Sequence, residues 1–242
     1  MTARHPRRFF RQAALTGSGP FGIALDGRPL KTPAKRDFVL PSLALAEAIA
    51  AEWNGQGDRV DPDRMALTKL ANAAIDRVMG SEDKIIDDVV AYAGTDLVCY
   101  RATEPEGLVQ REGKAWDPVI DWSAEFFDAE FQTVQGVTHR MQDDSAMQAV
   151  RKYLAGLSAM RLCAIHNLTS LTGSALIATA LSEGFLEPED AWRAAHVDED
   201  WQIERWGRDE EATQRRAKQE EEFRQTVRFH DLLGDKAPNS PV

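Results

Sequence analysis

The amino-acid sequence predicts an α+β protein, in which a small β-rich N-terminal domain is followed by a mainly α-helical C-terminal domain. Three observations carry that reading. The first forty residues are short apolar stretches broken by Gly17, Gly19, Gly27, Pro29 and Pro33, the punctuation of β-structure. From Ser42 onward apolar residues recur every three to four positions, the period of a helix that buries one face. The last hundred residues keep that helical period almost throughout, so strands and helices are segregated along the chain rather than alternating. The division is placed at 1–62 and 63–242.

The strand candidates are 9–15, 21–25 and 38–40, and Asp26-Gly27 supplies the positive φ that a tight hairpin turn needs. Ser42 can cap a helix with Leu45, Ile49 and Trp53 on one face, ended by Gly55 and Gly57. Asp61-Pro62 is a cap followed by a first-turn proline, and Leu67, Leu70, Ala71, Ala74, Ile75 and Val78 form a stripe stopped by Gly80. Ser81 starts a third helix through Ile85, Ile86, Val89 and Val90. The segment 96–101 (DLVCYR) is β-leaning and can return to the first sheet. Asp117-Pro118 reads as the opening of a helix carrying Val119, Trp122 and Phe126, and 131–137 reads as extended. Helices are expected over 147–157, 162–181, 188–206 (closed by Gly207) and 209–233, with a loose tail at 236–242.

Composition narrows the function classes. With 43% hydrophobic and 28% charged residues the chain has what an ordinary globular protein needs to bury a core. No apolar run approaches the roughly 20 residues of a membrane-spanning helix; the stretch 168–181 is interrupted by Thr, Ser and Gly. Cys99 and Cys163 both sit in apolar contexts and are expected as buried thiols rather than a disulfide. The formal charge is −10, yet residues 1–40 carry eight basic side chains against two acidic ones. An acidic remainder repels phosphate, which argues against nucleic acid and for charge steering toward a protein partner. The start, MTARHPRRFF, has the Arg-rich character of a presequence; because a strand-like segment follows at once, it is read as part of the mature protein.

Single motifs are weak when weighed against context. Gly17-Ser-Gly19-Pro-Phe-Gly22 spells the dinucleotide fingerprint, but that motif works only where a strand passes into a helix N-terminus. Here it precedes another strand and reads as a hairpin loop. No phosphate-binding G-x-x-x-x-G-K-[ST] occurs. His196, Asp200 and Glu204, spaced by four, could form a metal or general-base row on one helical face, the basis of an alternative reading as a metal-dependent enzyme. Helix ion pairs with Arg193, Arg205 and Arg208 explain the same row without chemistry. His139 and His166 stand apart from any activated Cys or Ser, and Ser170 and Ser174 fit close helix packing. On a continuous helix Trp192 and Trp206 lie within about 40° and Trp201 about 180° from Trp192, so one of these aromatics should reach a second surface. Residues 182–222 hold fourteen acidic and six basic side chains, a solvated face or a steering surface for a basic partner.

Several blocks taken together are more specific. LDGRPLKTPAK (25–35), LPSLALAEAIAAEW (40–53), LANAAIDRV (70–78), YAGTDLVCYRA (92–102), WDPVIDW (116–122), LTSLTGSALIATAL (168–181) and AHVDEDWQIERWG (195–207) occur in this order. They resemble the chaperone family that assembles the catalytic F1 head of ATP synthase by binding its α subunit. Ala73 departs from the pattern, in which Thr or Ser often follows the Asn. The resemblance implies a binding protein without turnover, nucleotide, metal or other cofactor. It would hold a new α subunit by the surface the β subunit later covers, preventing aggregation until β displaces it. The lack of a long presequence of the kind mitochondrial members carry suggests a bacterial member in the cytoplasm, with the mitochondrial matrix expected were the chain eukaryotic. The partner-binding residues it implies are Glu199, Asp200, Trp201 and Glu204, with Asp198 and Gln202 beside them, while Trp53, Arg28, Lys31 and Asn72 look like determinants of the fold. A holdase without a specific client is a further alternative.

Overall fold

The structure is a computed structural model that describes residues 5–136 and 140–234. The expected tail at 236–242, Val137, His139 and the first four residues lie outside the described residues. The chain divides into two compact units: one comprises Met1–Ser81, Ser158–Ala164 and Gln225–Val242, the other Glu82–Leu157 and Ile165–Arg224. These bounds differ from a single cut at 62.

The first unit is built on an antiparallel sheet. Strand β2 (Phe21–Leu25) is central, paired along one edge with β1 (Ala13–Thr16) and along the other with β3 (Arg28–Pro29) and β4 (Val39–Leu40). Asp26 and Gly27 take φ of 48° and 79°, so the β2–β3 turn is the expected one. The Asp26 carboxylate also accepts from Arg11 N and Gln12 N, which holds it below the usual carboxylate range, Gln12 contributing most. Gly17–Pro20 joins β1 to β2 as a hairpin loop and Gly22 lies in β2, with no helix behind them, so the glycine spelling has no phosphate role. Helix α1 (Leu43–Asn54) starts where Ser42 Oγ accepts from Leu45 N at 3.1 Å, and its Leu45 and Ile49 are buried with Ile23 and Leu40. Asn54 at its end pairs with both backbone groups of Ala13, at 2.8 and 2.9 Å, which closes part of the free edge of β1.

The next expected helix is broken. A 3₁₀ turn (Pro62–Arg64) capped by Asp61 is followed by Met65 at φ −129°, and α2 (Ala66–Ala73) begins only afterwards. Met65 offers no side-chain cap, and Glu52 supplies one instead, accepting from Leu67 N at 2.8 Å and Thr68 N at 2.9 Å. The helix continues as a π turn (Ala74–Val78). The Arg36 guanidinium takes the Ile75 carbonyl at 2.7 Å, and Asp76 accepts from Thr32 Oγ1 at 2.6 Å and Ala34 N at 3.0 Å. The 70–78 and 25–35 blocks are therefore two halves of one hydrogen-bonded joint. Lys31 pairs with Asp37, and Trp53 meets Phe10 edge-on at 5.4 Å.

The second unit is helical. Helix α3 (Glu82–Gly94) leads through a 3₁₀ turn to β5 (Tyr100–Arg101) and then α4 (Glu106–Phe127). After β6 (Val134–Gln135) come α5 (Asp144–Ala155), α6 (Ala159–Thr172), α7 (Ala175–Ser182), α8 (Pro188–Ala195), α9 (Val197–Trp206) and α10 (Glu210–Leu232). Of these, α6 and α10 contribute residues to both units.

Four expectations are corrected here. The segment 96–101 does not join the first sheet: Leu97–Cys99 forms a 3₁₀ turn capped by Asp96, and Tyr100–Arg101 pairs in parallel with Val134–Gln135. Helix α4 begins at Glu106, with Pro118 in its interior. Pro118 and Lys114 are both exposed, so the carbonyl a proline leaves unbonded faces water. The run 162–181 is two helices, because Gly173 (φ +69°) ends one and Ser174 caps the next by accepting from Ile177 N at 2.9 Å. The run 188–206 is also two helices, broken at His196 (φ −124°, ψ 21°).

One buried carboxyl ties this unit together. Asp96 is fully buried and accepts from Val98 N at 3.2 Å and from Leu176 N at 3.0 Å, at the N-terminus of α7. Burial pushes its pKa up to about 6 against the pull of its hydrogen-bond donors, Ser174 first. Cys99 and Cys163 are free and buried, with burial pushing their thiols up to about 12 and about 11.

Candidate functional site

The acid-rich block lies on α9, and the break at His196 sets its direction. The imidazole lies against Trp192, ring centroids 3.9 Å apart and planes tilted by 38°, with Nδ1 2.8 Å from the Trp192 carbonyl. Burial lowers its pKa, against the opposing pull of that hydrogen bond. With α8 and α9 separate, a single helical wheel no longer relates the three tryptophans. Trp192 is buried against Phe223 at 5.2 Å, Trp201 is buried, and Trp206 is 79% exposed. The aromatic that reaches a second surface is Trp206, held beside Gly207 (φ +89°) at the end of α9.

The first turn of α9 carries Asp198, Glu199 and Asp200, placed where the helix dipole favours negative charge. Each acid meets a group on another helix. Asp200 pairs with Arg216 of α10 at 2.6 Å, and Glu199 approaches the same guanidinium at 3.7 Å. Glu204 takes Arg111 of α4 in a two-pronged pair at 2.8 and 2.7 Å. The Arg111 hydrogen bond holds Glu204 below the usual carboxylate range. Asp198 faces Glu112 of α4, whose Oε2 accepts from Ala102 N at 2.7 Å. Glu112 is 2% exposed. Burial, with Asp198 acting in the same direction, pushes Glu112 up to about 7, against the Ala102 N–H and Arg101.

Trp201 is the centre of this contact. The Arg111 and Arg205 guanidiniums lie over its rings at 4.8 and 4.5 Å from a ring centroid. Its edge presses on Gly107, where an added Cβ would come within 2.9 Å of Cη2. Gln202 is exposed. Of the six expected site residues, Trp201 and Asp198 are therefore turned into the α4–α9 contact, Glu204 is paired with Arg111 at its rim, and Glu199 and Asp200 are turned to Arg216 of α10. Gln202 and Trp206 face outward. Sequence reasoning missed Arg111, Glu112 and Gly107, because α4 was read as starting at Asp117; Arg216 carried no motif of its own.

The His196, Asp200 and Glu204 row does not converge on a point. Its side chains turn to the Trp192 carbonyl, Arg216 and Arg111 respectively. Among the described residues no group of three or more His, Cys, Asp or Glu could hold a metal ion, and no helix is long and apolar enough to cross a membrane.

Comparison with known proteins gives this arrangement a family. Residues 7–124 match the model of the ATP12 chaperone protein family. The crystal structure of Atp12 from Paracoccus denitrificans is 38% identical, covers 95% of this chain and 99% of that one, and superposes with a TM-score of 0.90. A candidate chaperone from Agrobacterium tumefaciens is 42% identical over 95% of this chain and 87% of that one, with a TM-score of 0.89. Among curated relatives, the mitochondrial atp12 protein of Schizosaccharomyces pombe is 26% identical over 220 residues, 85% of this chain and 75% of that one. On this extent and degree of likeness, the chain belongs to the ATP12 chaperone family.

Proposed function

We propose that this chaperone assembles the F1 head of ATP synthase by holding the free α subunit, on the surface the β subunit later covers, without nucleotide hydrolysis or other turnover. The observation that carries the binding site is α9: an exposed Trp206 at the end of a helix whose acids are already oriented by Arg111 and Arg216. An aromatic anchor with a pre-ordered charged rim is the form an exchangeable protein contact takes. Glu199, Asp200, Trp201, Gln202 and Glu204 would contact the client or position its contacts, and Asp198 would act through the α4–α9 packing. A cytoplasmic place of work, for a bacterial chain, fits this reading.

The test is co-purification of the tagged chain from cells expressing the α and β subunits separately and together. Capture of α alone, with release when β is present, supports the proposal; no selective capture of α overturns the client assignment. Charge reversal sharpens it. Glu204→Lys places a second cation against Arg111 and should weaken capture about tenfold while leaving the circular dichroism spectrum unchanged. A folded Glu204→Lys protein that captures α as well as the parent removes this residue from the site.

A further inference from the structure

Outside α9, the second unit carries an aromatic ladder with one exposed end. Trp122 of α4 is stacked on Phe126 (4.7 Å between centroids, 17° between planes) and on Phe185 of the α7–α8 loop (5.3 Å, 15°). Phe126 is braced edge-on by Phe127 and Tyr153, at 5.0 and 5.3 Å, so the ladder has a fixed base. Its far end, Phe185, is 42% exposed. The two segments that supply the ladder, 121–130 and 181–190, contain eight acidic residues and no Lys or Arg. Asp121 and Glu125 precede Trp122 and Phe126 on α4, and Glu187 follows Phe185 by two; all three are exposed.

The same unit shows what such a combination accepts. Trp201 has the Arg111 guanidinium over its ring, and that guanidinium is held by Glu204. Trp116 has Arg101 at 5.3 Å, held by Asp117 at 2.8 Å. Each is an aromatic, a guanidinium and a carboxylate in contact, a geometry that the planar fork of arginine fills better than the compact lysine ammonium. At the Trp122–Phe185 ladder the aromatics are in contact, and exposed carboxylates adjoin them along the chain. Among the described residues, no guanidinium or ammonium lies over its rings, and Asp121, Glu125 and Glu187 make no ion pair.

We propose that the ladder ending at Phe185, with Asp121, Glu125 and Glu187 at its rim, is a docking site for an arginine-bearing, otherwise apolar segment of a protein partner. A guanidinium stacks on Phe185 while its edge is held by the rim carboxylates, completing the triad already built at Trp201 and Trp116. The site is separate in sequence from α9. It would give a chaperone client a second contact, a role that rests on the function proposed above, although the docking chemistry itself does not.

The experiment uses the full chain and a fluorescently labelled twelve-residue peptide of alternating Arg and Leu, with versions carrying Lys or Glu in place of Arg. Binding is followed by anisotropy. The Arg peptide should bind about fivefold more tightly than the Lys peptide, and the Glu peptide should not bind. Phe185→Leu, which keeps apolar volume without a π face, should erase the Arg preference. The double variant Glu125→Lys with Glu187→Lys should lose both basic peptides. Equal binding of the Arg and Lys peptides, or an Arg preference that survives Phe185→Leu, reduces the patch to diffuse charge and overturns the proposal. The same variants are then tested for capture of ATP synthase α subunit. If the parent captures no α subunit but keeps its Phe185-dependent Arg preference, the client assignment falls and the docking site stands.

Discussion

Trp201 was legible in the sequence as part of an acidic-aromatic block, but its role depends on residues almost a hundred positions away. Arg111 and Gly107 supply the cation over the ring and the space beneath it, and neither carries a pattern a single sequence can display. Gly107 gives a direct test, because two effects of known size oppose each other there. Replacing a helical glycine with alanine stabilises by up to about 1 kcal/mol through backbone entropy. Against this, the new Cβ would sit 2.9 Å from Cη2 and 3.3 Å from Cζ3 of a buried, rigid indole, and overpacking of that kind costs about 1–3 kcal/mol. Gly107→Ala should therefore lower the thermal midpoint by a few degrees and shift tryptophan emission as Trp201 is displaced. A midpoint that rises, with unchanged emission, would mean that the ring has room to move and that the contact is loose.

At the scale of elements, helical periodicity located most helices and misplaced several of their ends. Periodicity reports which face is buried, whereas ends are set by single residues: Gly173 and Ser174 split one run, His196 another, and Pro118 proved to lie inside α4 because its exposed face tolerates a missing hydrogen bond. The α4–α9 pair also contains a feature no periodicity predicts, the Glu112–Asp198 carboxyl pair. Glu112 has a folded pKa of about 7 against an ordinary value of 4.5, so the folded protein binds a proton more tightly than the unfolded chain. The stability this contributes is fully present below about pH 4.5 and is lost as pH rises through 7. The parent should accordingly become less stable, through this group, between pH 5 and pH 8. In Glu112→Gln the amide oxygen can still accept from Ala102 N while the amide N–H can donate to Asp198, with no charge to titrate. Thermal unfolding from pH 5 to pH 8 should show the variant gaining on the parent as pH rises, with the largest difference at pH 8. Parallel curves for the two proteins would place the titrating carboxyl elsewhere.

For the whole molecule, segregation of strands from helices was legible because it is written in the change of hydrophobic period at Ser42; the composition of the units was not, because each draws on distant pieces of chain. The unit that holds the sheet includes Ser158–Ala164 and Gln225–Val242. Within it Ser42 Oγ donates to the Leu232 carbonyl, the Arg161 guanidinium donates to the Gly234 carbonyl, and Cys163 Sγ lies 3.8 Å from the Leu70 carbonyl. Met160, Leu162, Val227, Phe229 and Leu233 of these pieces are buried. Each such side chain contributes about 1.5–3 kcal/mol on burial, and together they rival the whole stability of a typical domain, about 5–15 kcal/mol. A contiguous β-rich domain of the kind the sequence suggests would lack all five. Residues 1–81 expressed alone should therefore give a poorly dispersed amide spectrum and no cooperative thermal transition, while the full chain gives both dispersion and a transition. Cooperative unfolding of the 1–81 fragment would show that the distant segments only cover a core already complete, and that the sequence-level division described the folding unit better than the contacts do.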